Sequence, residues 1–112
     1  MFEYYARVHE VIDGDTIDVS VDLGFSIQHL IRLRLYGINT PELRSKDPAE
    51  KVMAVTAKTR LIGLIEGKIV KIKTFKDKTD KYGRYLAEVF SSNNESINNM
   101  LLTEGLAKEY KI

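Results

Sequence analysis

The sequence predicts a mainly β domain of the α+β class, five strands with one helix between the third and fourth strands and a second helix near the C-terminus. Three observations carry this expectation. Apolar and polar residues alternate over short runs in the first half of the chain, the period of a half-buried strand. A central segment then changes to helical spacing, with start and stop signals at its ends. Two more β-rich runs follow, and a short helical pattern closes the chain. At 112 residues, 44% of them hydrophobic and 29% charged, the chain is expected to form a single domain over residues 1–112 with a small but feasible core.

The first run, Tyr5 to Val11, alternates loosely and ends at a turn signal. Thr16 to Val21 alternates cleanly, with Ile17, Val19 and Val21 on one face and Asp18 and Ser20 on the other. Asp22-Leu23-Gly24 interrupts it. From Leu30 the alternation resumes, placing Ile31, Leu33 and Leu35 on one face and Arg32, Arg34 and Tyr36 on the opposite one. The central helix starts with Asp47 as N-cap, Pro48 in the first helical position and Glu50 in the capping-box place. Ala54, Ala57, Leu61, Leu64 and Ile65 follow at helical spacing, and Gly67 offers a stop. Lys68 to Thr74 and Tyr85 to Phe90 are the last two strands, joined by a long polar turn that ends in Tyr82-Gly83. A helix from about Ile97 to Glu104 buries Ile97, Met100 and Leu101, with Gly105 as its C′ residue. Five strands with a helix between the third and fourth is the element order of the OB-fold, a Greek-key barrel.

Composition narrows the function classes. With no cysteine there is neither a disulfide framework nor a thiolate metal site. The N-terminus lacks the basic and apolar regions of a signal peptide, and no apolar run is long enough to span a bilayer. The expectation is a cytoplasmic protein without a membrane partner, a mature secreted form being the alternative. Net charge is only +1, but the segment from Lys68 to Arg84 carries seven positive charges against two negative ones. That surplus of five leaves the remainder at −4, a distribution that can attract a polyanion to one side. Taken alone, those lysines are better read as a solvated hairpin.

Three short segments could carry chemistry. Asp13-Gly14-Asp15-Thr16 joins the first two strands, where an Asp-Gly hairpin accounts for Asp13 and Gly14 but not for a second carboxylate at Asp15. Its spacing does not fit an EF-hand. Arg32-Leu33-Arg34-Leu35-Tyr36-Gly37-Ile38-Asn39-Thr40-Pro41-Glu42 runs from a strand into what would otherwise be a plain capped turn. Asp80-Lys81-Tyr82-Gly83-Arg84-Tyr85-Leu86-Ala87 closes the lysine-rich turn. Each is weak alone, but their order and spacing together are specific.

Together they resemble the staphylococcal nuclease (thermonuclease) family over about Val8 to Lys108, and Gly105-Leu106-Ala107-Lys108 resembles the end of that family's second helix. The resemblance implies an OB barrel and an endonuclease hydrolysing phosphodiester bonds of DNA or RNA, with unpaired strands favoured. It implies calcium as cofactor, held by Asp15, Asn39 and the main-chain carbonyl of Thr40. Glu42 would be the general base on water, and Arg34 and Arg84 would grip the reacting phosphate, a task suited to a planar, always charged fork of donors. Lys81 and Tyr82 would contact a neighbouring phosphate, and Tyr110 is the tyrosine available for nucleotide contact. Two departures stand out. The family has an aspartate where this chain has Asn39, so weaker calcium binding is expected, with Asp13 placed to compensate. The chain also stops at Ile112, short of the family's C-terminal helix, so substrate affinity or base preference is expected to differ. A monomer acting on nucleic acid is the leading expectation. The alternative is a non-catalytic OB-fold module that binds single-stranded nucleic acid through the Lys68–Arg84 segment and exposed aromatics, and a protein-interaction domain keeping the motifs as relics comes third.

Overall fold

The computed structural model describes residues 2–79 and 84–110, with side-chain detail for 2–74 and 84–110. Five strands, β1 (Phe2–Asp13), β2 (Thr16–Asp22), β3 (Gln28–Leu35), β6 (Tyr85–Phe90) and β5 (Ile69–Thr79), close into a barrel in that order. All pairings are antiparallel except β3 with β6, and β5 closes the ring by pairing with β1. With two helices added, this is the expected OB-fold barrel. A second, two-stranded sheet pairs β4 (Ile38–Asn39) with β7 (Lys108–Glu109), each strand too short to show a period in the sequence. Among the described residues no helix is long and apolar enough to cross a membrane.

The barrel interior is filled by the inward positions of the alternating runs, Val8, Val11, Ile17, Val19, Val21, Leu33, Leu35, Ile72 and Val89, all buried. β1 alternates loosely because its register to β2 slips between Val8 and Glu10. That irregularity lets Val8 and Val11, three residues apart, both face inward. The strand around residue 75 runs further than expected. Residues 75–79 continue β5 instead of entering a turn.

Helix α1 (Pro48–Ile65) starts where expected, with the Asp47 side chain accepting from Ala49 N at 3.1 Å and Pro48 in the first turn. Glu50 does not close the expected capping box. Asp47 N already donates to Ser45 Oγ (3.1 Å), and the Glu50 carboxylate instead accepts from Ser45 Oγ (3.0 Å) and Glu42 N (3.4 Å). The helix buries Ala54, Ala57, Leu61 and Ile65 against the barrel, with Leu64 half-buried. Its C-cap is Glu66, and Gly67 follows as the expected stop.

Helix α2 (Ile97–Thr103) is capped by Ser96 and ends at Gly105, where φ of +75° is open to glycine without a Cβ penalty. Gly105 N donates to Leu102 O and Leu106 N to Leu101 O, the paired bonds of a Schellman stop. Ile97 and Leu101 are buried as expected, whereas Met100 is only half-buried. The fully engaged residue of α2 is Asn98, which accepts from Val89 N (3.0 Å) and donates to Tyr36 O (2.9 Å) and Ala87 O (3.2 Å). It ties α2 to β6 and to the turn after β3, from which β4 departs.

Candidate active site

Among the described residues five polar or charged ones are buried, and four of these, Asp15, Thr16, Arg34 and Thr40, meet at one place where β1, β2 and β3 run into their connecting loops. Burying polar groups is costly unless they are mutually paired, so such a cluster marks a built site.

The β1–β2 connection brings Asp15 there. Asp13 pairs with Thr16 across the hairpin, so the tight turn consists of Gly14 and Asp15, one residue later than the Asp-Gly pattern suggests. Gly14 does not have a positive φ. It is needed for a different reason: a Cβ there would sit 2.8 Å from Thr40 Oγ1 and 2.9 Å from the Ala57 Cβ. The hairpin thus packs closely on the β4 loop and on α1. Asp13 Oδ1 accepts from Asp15 N at 3.1 Å and folds the turn back on itself.

Asp15 is the hub. Its Oδ1 accepts from Thr16 Oγ1 (3.1 Å), and its Oδ2 accepts from Thr40 N (3.2 Å) and pairs with Arg34 Nη2 at 3.4 Å. Arg34 Nη2 also donates to Ile38 O (3.1 Å) and Asn39 Oδ1 (2.9 Å). On the far side, Arg84 Nη1 donates to Thr16 Oγ1 at 3.3 Å. One continuous chain of contacts therefore runs Arg84–Thr16–Asp15–Arg34–Asn39, joining residues from three strands and two loops. Thr16 is the member that sequence reasoning missed, since a threonine opening a strand carries no signal of its own.

The two arginines of β3 separate. Arg32 is half-exposed in a bidentate pair with Asp18 on β2, Nε to Oδ1 at 2.7 Å, a surface arrangement. Arg34, two residues along the same face, is buried. The difference is the roof that β4, β7 and Tyr110 place over the end of that face. The Tyr110 ring lies on the Arg34 guanidinium, 4.9 Å from carbon to centroid.

Glu42 is exposed on the loop after β4, and among the described residues its carboxylate makes no hydrogen bond or ion pair. Its backbone is held in place, with Glu42 N on the Glu50 carboxylate and Glu42 O accepting from Ser45 N (3.2 Å). Lys81 and Tyr82 lie outside the described residues.

Burial, together with the neighbouring Asp15 carboxylate, pushes Asp13 up to about 6. Two carboxylates crowded in this way favour a cation between them. Among the described residues no three His, Cys, Asp or Glu side chains converge. A metal would depend on the mixed set of Asp15, Asn39 and the Thr40 carbonyl. Arg34 Nη2 touches oxygens of both Asp15 and Asn39, so these two donors already converge on one region. An all-oxygen set suits a hard divalent cation in donor type, with a single formal charge from Asp15 and a second from Asp13 nearby.

The barrel thus carries, at one end, two arginines linked through an aspartate and a threonine. A family model for staphylococcal nuclease homologues matches residues 32–112, and the chain belongs to that family. It is 33% identical to an uncharacterized protein of Methanocaldococcus jannaschii across 96% of this chain and 59% of the relative. It is 28% identical to an uncharacterized endonuclease of Escherichia coli across 97% of this chain and 63% of the relative. It is also 31% identical to protein ParB of Escherichia coli, across 97% and 59% respectively. The chain thus spans about three fifths of the length of the curated relatives it matches.

Proposed function

We propose that this chain is a calcium-dependent nuclease domain that hydrolyses phosphodiester bonds in DNA or RNA, acting on unpaired strands. The observation that carries the reading is the chain of contacts from Arg84 through Thr16 and Asp15 to Arg34. It fixes two permanent cations, 50 residues apart in sequence, beside one carboxylate. Membership of the nuclease family and an endonuclease among the relatives support it.

Attack on a phosphodiester requires an activated water and stabilisation of the charge that builds on the phosphoryl oxygens. In this reading Glu42, whose carboxylate is exposed and free of protein partners among the described residues, takes a proton from water as the water oxygen bonds to phosphorus. The bond from phosphorus to the leaving oxygen breaks on the opposite side. Arg34 and Arg84 donate to the equatorial oxygens, and burial of Arg34 strengthens that interaction by lowering the local dielectric. Asp15, Asn39 and the Thr40 carbonyl would hold the calcium ion, which when bound supplies further positive charge to the phosphate. Lys81 and Tyr82 contact a neighbouring phosphate.

Glu42→Gln separates catalysis from mere binding. The expected outcome is a loss of cleavage rate of about 10²–10⁴-fold with binding of single-stranded DNA retained. Cleavage at the native rate by Glu42→Gln would remove Glu42 from the mechanism, and native binding without turnover in the unmodified protein would favour a binding module.

A further inference from the structure

The short strand β7 pairs with β4, setting Glu109 opposite Ile38 and Lys108 opposite Asn39. Tyr110 N donates to Gly37 O at 2.9 Å immediately beyond this ladder. The ladder therefore delivers the Tyr110 ring to the face of the Arg34 guanidinium, with 4.9 Å between guanidinium carbon and ring centroid. The same two-residue strand that anchors β7 carries Asn39, whose Oδ1 accepts from Arg34.

The remaining donors of Arg34 show what this contact can do. All its hydrogen bonds leave from Nη2, to Asp15, Ile38 and Asn39. Among the described residues Nε and Nη1 make none, and no buried side-chain polar atom there lacks a partner, so each of these nitrogens keeps contact with solvent. One nitrogen anchors the group while the Nη1 donors remain for an anion. Those contacts fix one corner of the guanidinium, and the aim of its remaining donors depends on the tilt of the plane. An aromatic face laid on it steadies that tilt and adds a cation–π attraction.

We propose that Tyr110 is a positioning residue that acts through Arg34, holding the tilt of its guanidinium so that the Nη1 donors, which make no protein contact, meet the phosphate, instead of acting by stacking on a base. This rests on the nuclease reading above. The test measures kcat and KM on a single-stranded oligonucleotide for the unmodified protein, Tyr110→Ala, Tyr110→Leu and Tyr110→Phe, with the Arg34 Nε–Hε resonance followed by NMR. Tyr110→Ala and Tyr110→Leu are expected to lower kcat about tenfold with KM changed less than about twofold. Tyr110→Phe, which keeps the ring face, rescues kcat. The Arg34 Hε signal should lose its ring-current shift in the alanine and leucine variants and recover it with phenylalanine. A raised KM with kcat intact, or an Arg34 signal indifferent to the ring, overturns the proposal while leaving the nuclease reading in place. Absence of cleavage by the unmodified protein overturns both.

Discussion

Arg32 and Arg34 occupy the same face of β3 and the same place in an alternating pattern, yet one is a surface ion-pair partner and the other the buried centre of the site. Residue type and period place both; only the roof over Arg34 distinguishes them, and that roof comes from Tyr110 and the β4 loop. Asp15 was legible as an unexplained carboxylate, whereas Thr16, which links it to Arg84, was not, because a hydroxyl at a strand start is commonplace. Two predictions belong at this scale. Asn39→Asp adds a formal charge to the proposed donor set, so calcium affinity measured by calorimetry should rise about tenfold or more; an unchanged affinity would remove Asn39 from that proposal. Asp18 is held below the ordinary aspartate value of 3.8, chiefly by its hydrogen bond from Arg32. A depressed acid stabilises the fold above its ordinary pKa and loses that contribution as pH falls through its folded value. Because the pair is exposed, Asp18→Asn should cost no more than about 1 kcal/mol at pH 7, with the difference from the unmodified protein vanishing well below pH 4. Urea titrations across that range check it.

At the scale of elements, the hairpin turn between β1 and β2 and the β4 loop are mutually dependent. Gly14 lets them touch, for its missing Cβ is the space that Thr40 and Ala57 occupy. Gly14→Ala should therefore destabilise the protein by about 1–3 kcal/mol through overpacking, lowering Tm on the order of 10 °C in a thermal melt. A melt that does not move would show that the turn can withdraw from the loop at no cost. The Asp-Gly pair was legible as a turn, but for the wrong reason, because close approach between distant segments leaves no local trace. β4 and β7 escaped notice on similar grounds, two residues being too few for a period. The helices were readable almost to the residue, since Asp47, Pro48 and Gly105 mark their ends by local geometry, while Ser96, the cap of α2, carried no such signal. Glu50 was the exception: Ser45 intercepts the backbone donor it was expected to satisfy, and the freed carboxylate steadies the Glu42 loop instead.

Across the whole molecule, the barrel order β1-β2-β3-β6-β5 explains why three motifs separated by dozens of residues form one site. Thr16 lies opposite Arg34 in the β2–β3 ladder, and β6, which Arg84 immediately precedes, runs parallel to the end of β3. The parallel β3–β6 pair is what brings Arg84 to Thr16, and α2 fastens it by pinning β6 and the turn after β3 through Asn98. The pattern of strands and helices was legible because both periods are local. The pairing of β3 with β6 was reachable only through the expected fold. In the proposed function this assembled site cleaves nucleic acid with the help of calcium. Its most direct test is digestion of single-stranded DNA by a preparation shown to be folded by circular dichroism, with millimolar calcium in one arm and chelator in the other. Cleavage to short fragments is expected with calcium and none with chelator. Intact DNA in both arms would contradict it.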